Sequence, residues 1–150
     1  MIIKSYDLTK INLNKSRFIL FYGKNDGLKN EAIEILNKDK NNISNYEEKE
    51  ILDNENNFIE IFLSRSLFDS QKFIVIKRAT DKILKIIEDL QQKNLKDTTI
   101  ILNSENLEKK SKLRLFFEKD KDCICVPFYP DNDQTLSKLT YNFLDRKSVV

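Results

Sequence analysis

The stretch Gly23-Lys24-Asn25-Asp26-Gly27-Leu28-Lys29-Asn30 has residue types and spacing that invite phosphate chemistry. It holds both of the chain's two glycines and follows the apolar run Phe18-Ile19-Leu20-Phe21-Tyr22. A Walker A loop, Gly-x-x-x-x-Gly-Lys-Ser/Thr, works because its amides wrap the phosphates. Its Lys reaches the terminal phosphates and its hydroxyl holds magnesium. Here the glycines stand one residue too close together, and Leu28 displaces Lys29 from the position after the second glycine. Asn30 offers an amide where a hydroxyl is required, and Asp26 brings a negative charge to the place of the phosphates. The Walker B position is no better supplied. The run Ile100-Ile101-Leu102 passes into Asn103-Ser104-Glu105, so the nearest carboxylate, Glu105, comes two residues after Asn103. The expectation is a degenerate phosphate loop at Gly23, Gly27 and Lys29, with no catalytic residues, no cofactor, no metal and no intrinsic ATPase activity. The alternative left open is a small P-loop-like nucleotide-binding enzyme with an atypical loop, using Lys29 and Glu105.

Other chemistries are excluded more simply. The chain contains no His, which removes every His-dependent triad, and its two cysteines cannot build a four-thiolate zinc site. Cys123 and Cys125 are expected to be buried thiols of a strand, suited to a reducing cytoplasm. The 26 basic and 24 acidic residues leave a net charge of +2, without the basic excess of a dedicated nucleic-acid binder. Any contact with DNA must then be local or shared with partners. The frequent Lys, Asn and Ile look like the imprint of an AT-rich genome. The first residues lack the apolar centre of a signal peptide, and no apolar run approaches the roughly 18 residues of a membrane span. A cytoplasmic protein without membrane contact is expected.

These residues must be positioned by regular elements, and the apolar segments alternate in type. Phe18 to Tyr22, Lys72 to Ile76 and Thr98 to Leu102 are near-continuous apolar runs, the pattern of strands buried on both faces. Asp122 to Val126, closed by Pro127, is a fourth, and Ile43 to Glu47 is a weaker one. Between them the periodicity predicts helices over Leu28 to Leu36, from an Asp53 N-cap through Phe58, Ile59, Phe62 and Leu63, over Asp81 to Leu90, and over Leu107 to Phe117. Alternation of this kind predicts a three-layer α/β domain with a parallel five-stranded sheet, occupying residues 1–128. Residues 129–150 read as the start of a second domain, with a helix from Asp131 to Leu144.

Three segments in order carry a resemblance. They are Leu20-Phe21-Tyr22-Gly23-x-x-x-Gly27-Leu28, then Ser66-Leu67-Phe68 shortly before the Lys72 strand, then Leu107-Glu108-Lys109-Lys110-Ser111-Lys112-Leu113-Arg114. Over residues 17–130 the chain resembles the N-terminal domain of the delta subunit of the bacterial DNA polymerase III clamp loader. That resemblance implies an AAA+ domain of the P-loop NTPase type with a degenerate nucleotide site. It implies a role in DNA replication, binding and helping to open the sliding clamp (the beta subunit), without ATP hydrolysis of its own, inside a complex that serves a DNA-directed DNA polymerase. It also implies lid and collar domains beyond this chain, through which the full-length protein would meet the other clamp-loader subunits, so a truncated gene product is expected.

The resemblance makes Ser66, Leu67 and Phe68 the clamp-gripping element, with Leu67 and Phe68 as apolar plugs. From the residues alone, Leu67 continues the stripe Ile59-Leu63-Leu67 and reads first as core, whereas Phe68 is off it. Lys109, Lys110, Lys112 and Arg114 form a basic helix face that is either plainly solvated or a contact to primed DNA within the assembled complex. The Ser-Arg-Cys motif that supplies an arginine finger in sibling loader subunits is missing. A free-standing DNA-binding module using that basic helix is a third possibility.

Overall fold

Among the described residues five strands form one parallel sheet, in the order β2-β3-β4-β1-β5. The structure is a computed structural model. It describes residues 1–13, 17–37, 43–68, 72–93 and 98–128, with the side chains of residues 61, 64–68 and 72 outside that description. The expected second domain at residues 129–150, its helix included, lies outside the described residues. The strands are β1 (Phe18–Gly23), β2 (Ile43–Glu47), β3 (Lys72–Lys77), β4 (Thr98–Ser104) and β5 (Cys123–Phe128). The helices are α1 (Asp26–Leu36), α2 (Glu48–Asp53), α3 (Glu55–Phe68), α4 (Leu84–Gln92) and α5 (Lys112–Lys119). Among the described residues no helix is long and apolar enough to cross a membrane.

The connections explain the layers. The chain leaves β1 in one direction along the sheet to reach β2 at the far edge, then returns stepwise through β3 and β4 to β5. Right-handed crossovers in opposite directions put their helices on opposite faces. Accordingly Ala32, Ile33 and Leu36 of α1 pack with Ile19, Phe21, Val75, Ile101 and Val126. On the other face Phe58 and Phe62 of α3, Ile86, Ile87 and Leu90 of α4, and Leu113 and Phe117 of α5 pack with Leu20, Ile74, Ile76, Ile100 and Leu102. Successive residues of β1 therefore serve two different cores, which is why the run from Ile19 to Tyr22 has no polar member.

Several boundaries differ from the expected ones. Asp53 is not an N-cap; it is the last residue of α2, and α3 starts at Glu55. The short helix α2 is held by buried Glu48, whose carboxylate accepts from the Thr80 N–H at 2.7 Å and the Thr80 hydroxyl at 2.8 Å. The expected helix from Asp81 opens as a 3-10 turn, Asp81–Ile83, before α4. The helix expected from Leu107 begins only at Lys112, because Ser111 caps it by accepting from the Arg114 N–H at 3.3 Å. Pro127 lies inside β5 rather than closing it. The Cys125 N–H donates outward to Met1 O at 2.9 Å. Pro127, two residues on, would also point its nitrogen away from β1, so the ladder keeps all its hydrogen bonds.

Candidate functional site

In open parallel sheets ligands bind at the carboxyl ends of the strands, where neighbouring connections leave to opposite faces. Here that place lies between β1, which feeds α1, and β4, which feeds α5 on the other face. Gly23, Gly27 and Lys29 are brought together at it. The turn is short, with only Lys24 and Asn25 between the end of β1 and the start of α1. Asn25 caps the helix, its Oδ1 accepting from the Leu28 N–H at 3.2 Å.

The two glycines play different parts. Gly23 has φ +124°, and a Cβ placed there would stand 1.6 Å from the Phe128 carbonyl oxygen. Its N–H donates to Glu105 O at 3.1 Å. This glycine lets β1 end pressed between the exits of β4 and β5. Gly27 lies in the first turn of α1, where a Cβ would meet nothing closer than the Asn25 Oδ1 at 3.8 Å. The backbone does not require it.

Lys29 is 1% exposed. Its Nζ donates to Ser104 O at 3.0 Å and pairs with Asp26 Oδ1 at 3.1 Å. The ammonium therefore reaches down to the end of β4 and is covered by a carboxylate from its own helix. Glu105, the possible partner in the nucleotide-enzyme alternative, is exposed, and its backbone rather than its carboxylate serves the turn. The Ser104 hydroxyl is buried and has no hydrogen-bond partner among the described residues.

On the opposite side of the same sheet end, the basic segment divides. Lys109 and Lys110 lie in the turn before α5 and Lys112 in its first turn, all three exposed. Lys110 pairs with Glu108 at 3.6 Å. Arg114 turns inward instead. Its Nε donates to Glu118 at 2.8 Å, its Nη1 to Leu107 O at 3.0 Å, and its guanidinium stands 4.8 Å from the centre of the Tyr22 ring. The hydrogen bond to Glu118 raises its pKa further above the ordinary arginine value. The four residues thus do not form one helix face.

Two contacts that sequence reasoning missed organise this region. The Asp81 carboxylate accepts from the Ser111 hydroxyl and from the Leu113 N–H, the latter at 3.1 Å, and so clamps the start of α5 to the exit of β3. The Ser111 hydrogen bond is the main reason its carboxyl is held below the usual range. Glu48 with Thr80 does the same between the exits of β2 and β3. Asp81 and Ser111 are thirty residues apart, beyond any local pattern, whereas Asp26 and Lys29 stand at a helical i,i+3 spacing that the sequence does display.

Ser66, Leu67 and Phe68 close α3, just ahead of β3. Their side chains lie outside the described part of the structure, as do Asp69, Ser70 and Gln71 altogether. Ile59 and Leu63, the first members of the predicted stripe, pack half-buried against the core.

Cys123 and Cys125 are unpaired by disulfide and buried. Desolvation pushes the Cys125 thiol up to about 12, with Glu118 adding to it, and pushes Cys123 higher still. Neither is a thiolate nucleophile at neutral pH. Among the described residues no group of three His, Cys, Asp or Glu could hold a metal ion. No protein-family model matches the chain, and no curated protein matches its sequence. What the structure defines is an α/β domain with an all-parallel five-stranded sheet, compatible with a three-layer P-loop-like fold.

Proposed function

We propose that this chain is the clamp-binding AAA+-type domain of a clamp-loader delta subunit, with a degenerate nucleotide site, which grips a DNA sliding clamp and helps to open it. The observation that carries the reading is the state of Lys29. The lysine nearest to a phosphate loop's catalytic position is buried on Ser104 O and Asp26, at the switch point of a parallel sheet. Such a domain keeps the architecture of a nucleotide fold while its cation is engaged internally, which suits a subunit that works through protein contacts. The ordered segments Leu20 to Leu28, Ser66-Leu67-Phe68 and Leu107 to Arg114 supply the resemblance.

In this reading Leu67 and Phe68 enter an apolar pocket of the clamp, presented by the end of α3 with Ser66 shaping the turn. Each anchor contributes roughly 1.5–3 kcal/mol when fully buried in a partner. Opening then follows if the domain binds the open clamp better than the closed one. The other loader subunits and primed DNA are partners of the full-length protein, and in this reading the exposed Lys109, Lys110 and Lys112 would be the cations that meet DNA.

The deciding experiment measures binding of the chain to the sliding clamp of its own cell, with and without Leu67→Ala and Phe68→Ala together. Affinity is expected to fall close to ~1000-fold, two anchors at roughly 2 kcal/mol each, while the melting temperature stays nearly constant. A double variant that melts far earlier, yet whose folded fraction holds the clamp normally, assigns both residues to the core. A wild-type chain that ignores the clamp and binds Mg-ATP at micromolar concentration gives the site to a nucleotide enzyme instead.

A further inference from the structure

Lys29 and Asp26 form an unequal pair. The ammonium is 1% exposed, and the carboxylate that covers it is 83% exposed. An ammonium has three donors and no acceptor, and one of them is spent on Ser104 O at the end of β4. Another is directed to a negatively charged oxygen three residues earlier in the same helix, at 3.1 Å. Above this pair the first turn of α1 is bare at Gly27, where an added Cβ would meet only the Asn25 side chain at 3.8 Å. A buried cation beneath the amino end of an 11-residue helix is the combination that attracts an oxyanion. In this chain the anion that answers it is covalently attached.

We propose that the Asp26 carboxylate is an internal occupant of this site: it makes the contact with Lys29 that an external phosphate oxyanion would otherwise make, so the site is closed by its own side chain. The pairing is intramolecular and i,i+3 in a formed helix, so it faces almost no loss of translational freedom, whereas a free anion loses that freedom on binding. Asp26 also repels any second anion directly. The inference rests on reading Gly23 to Lys29 as an altered phosphate loop. It does not depend on the clamp, and its test contains none, so failure here leaves the clamp-binding result to stand or fall separately.

The test uses the full 150-residue chain and inorganic pyrophosphate, at constant ionic strength set with chloride. The chain's two glycines both lie in this turn, so their amide resonances report on it directly. Asp26→Ala is expected to show saturable pyrophosphate-dependent shifts of the Gly23 and Gly27 amides, with affinity at least ~10-fold tighter than wild type, the worth of one charge-assisted hydrogen bond. Glu34→Ala, an equal change of charge on the exposed side of α1, is expected to behave as wild type. Adding Lys29→Met to Asp26→Ala is expected to abolish the shifts. If that double variant does not fold, the Lys29 ammonium resonance of Asp26→Ala, which should move with pyrophosphate, replaces it. Equal pyrophosphate binding by wild type and Asp26→Ala, absence of binding in both, or a gain in Glu34→Ala matching that of Asp26→Ala would each overturn the proposal.

Discussion

Two regions at the same end of the sheet hold clusters of positive charge and use them in opposite ways. In the segment from β1 into α1, Lys24 is exposed in the turn while Lys29, in the helix, faces inward. Lys29 is buried, bonded to the end of β4 and covered by Asp26. In the connection from β4 to α5, Lys109, Lys110 and Lys112 face solvent, and only Arg114 turns inward, onto Leu107 O, Glu118 and the Tyr22 ring. The difference shows that a basic residue near a strand end does not by itself mark a ligand site. What counts is whether the fold has already supplied its counter-charge. Lys29 is therefore part of a structural joint, whereas Lys24, Lys109 and Lys112 stay exposed and Lys110 pairs with exposed Glu108.

The sharpest way to break this contrast is to alter the joint. Gly23→Ala drives a Cβ into the Phe128 carbonyl at a backbone φ that L residues avoid. It is expected to cost more than ~4 kcal/mol or to prevent folding, in the class of exceptional single substitutions. Gly27→Ala has helical backbone and open space, so the same change four residues later should leave stability level or raise it by roughly 0.5–1 kcal/mol. Urea unfolding of the two variants compares them directly, and similar losses at both positions would show that the turn is not held in the described form.

A smaller effect tests the clamp between β3 and α5. The Asp81 carboxyl is held below its ordinary value chiefly by the Ser111 hydroxyl. A group with a lowered folded pKa contributes stability above its unfolded value, near ~4 for Asp, and loses that contribution as pH falls through the folded one. Asp81→Ala is expected to cost about 1 kcal/mol at neutral pH, the usual worth of a cap. It should also remove part of the acid loss of stability below ~pH 4. Since Asp81 is exposed, added salt should shrink the difference. An acid limb identical in wild type and variant counts against the clamp.

The smallest effect on folding is expected in the second region. Replacing Lys109, Lys110 and Lys112 with Ala together should move stability by no more than ~0.5 kcal/mol. If these cations meet primed DNA in an assembled loader, the salt dependence of that assembly's DNA affinity should flatten, by about 0.9 in log–log slope for each phosphate left without its lysine. An unchanged slope would reduce the whole segment to a solvated surface.

Much of the fold was legible in the residues. The runs Phe18 to Tyr22, Lys72 to Ile76 and Thr98 to Leu102 marked the three interior strands, because a strand covered on both faces admits no alternation. Even the weak segment Ile43 to Glu47 forms a strand as expected, and the topology puts it at an edge of the sheet. The boundary at Leu107 failed on a local signal, the Ser111 cap, whereas those at Asp53 and Pro127 depended on neighbours brought close only by folding: Thr80 for Glu48, and the segment at Met1 for Cys125.

The candidate site divides along the same line. The spacing of Gly23, Gly27 and Lys29, and the acid at Asp26, determined from sequence alone that the loop departs from a phosphate-binding pattern. The tertiary structure decided what those residues do instead. Lys29 finds a carbonyl 75 residues away at the end of β4, and Gly23 is pinned beneath Phe128. Arg114 leaves the basic surface for the ring of Tyr22. Local periodicity records which face a residue turns to the core, because that depends on near neighbours along one element. The counter-charge for a cation and the space beside a glycine depend on which strand ends the topology sets side by side.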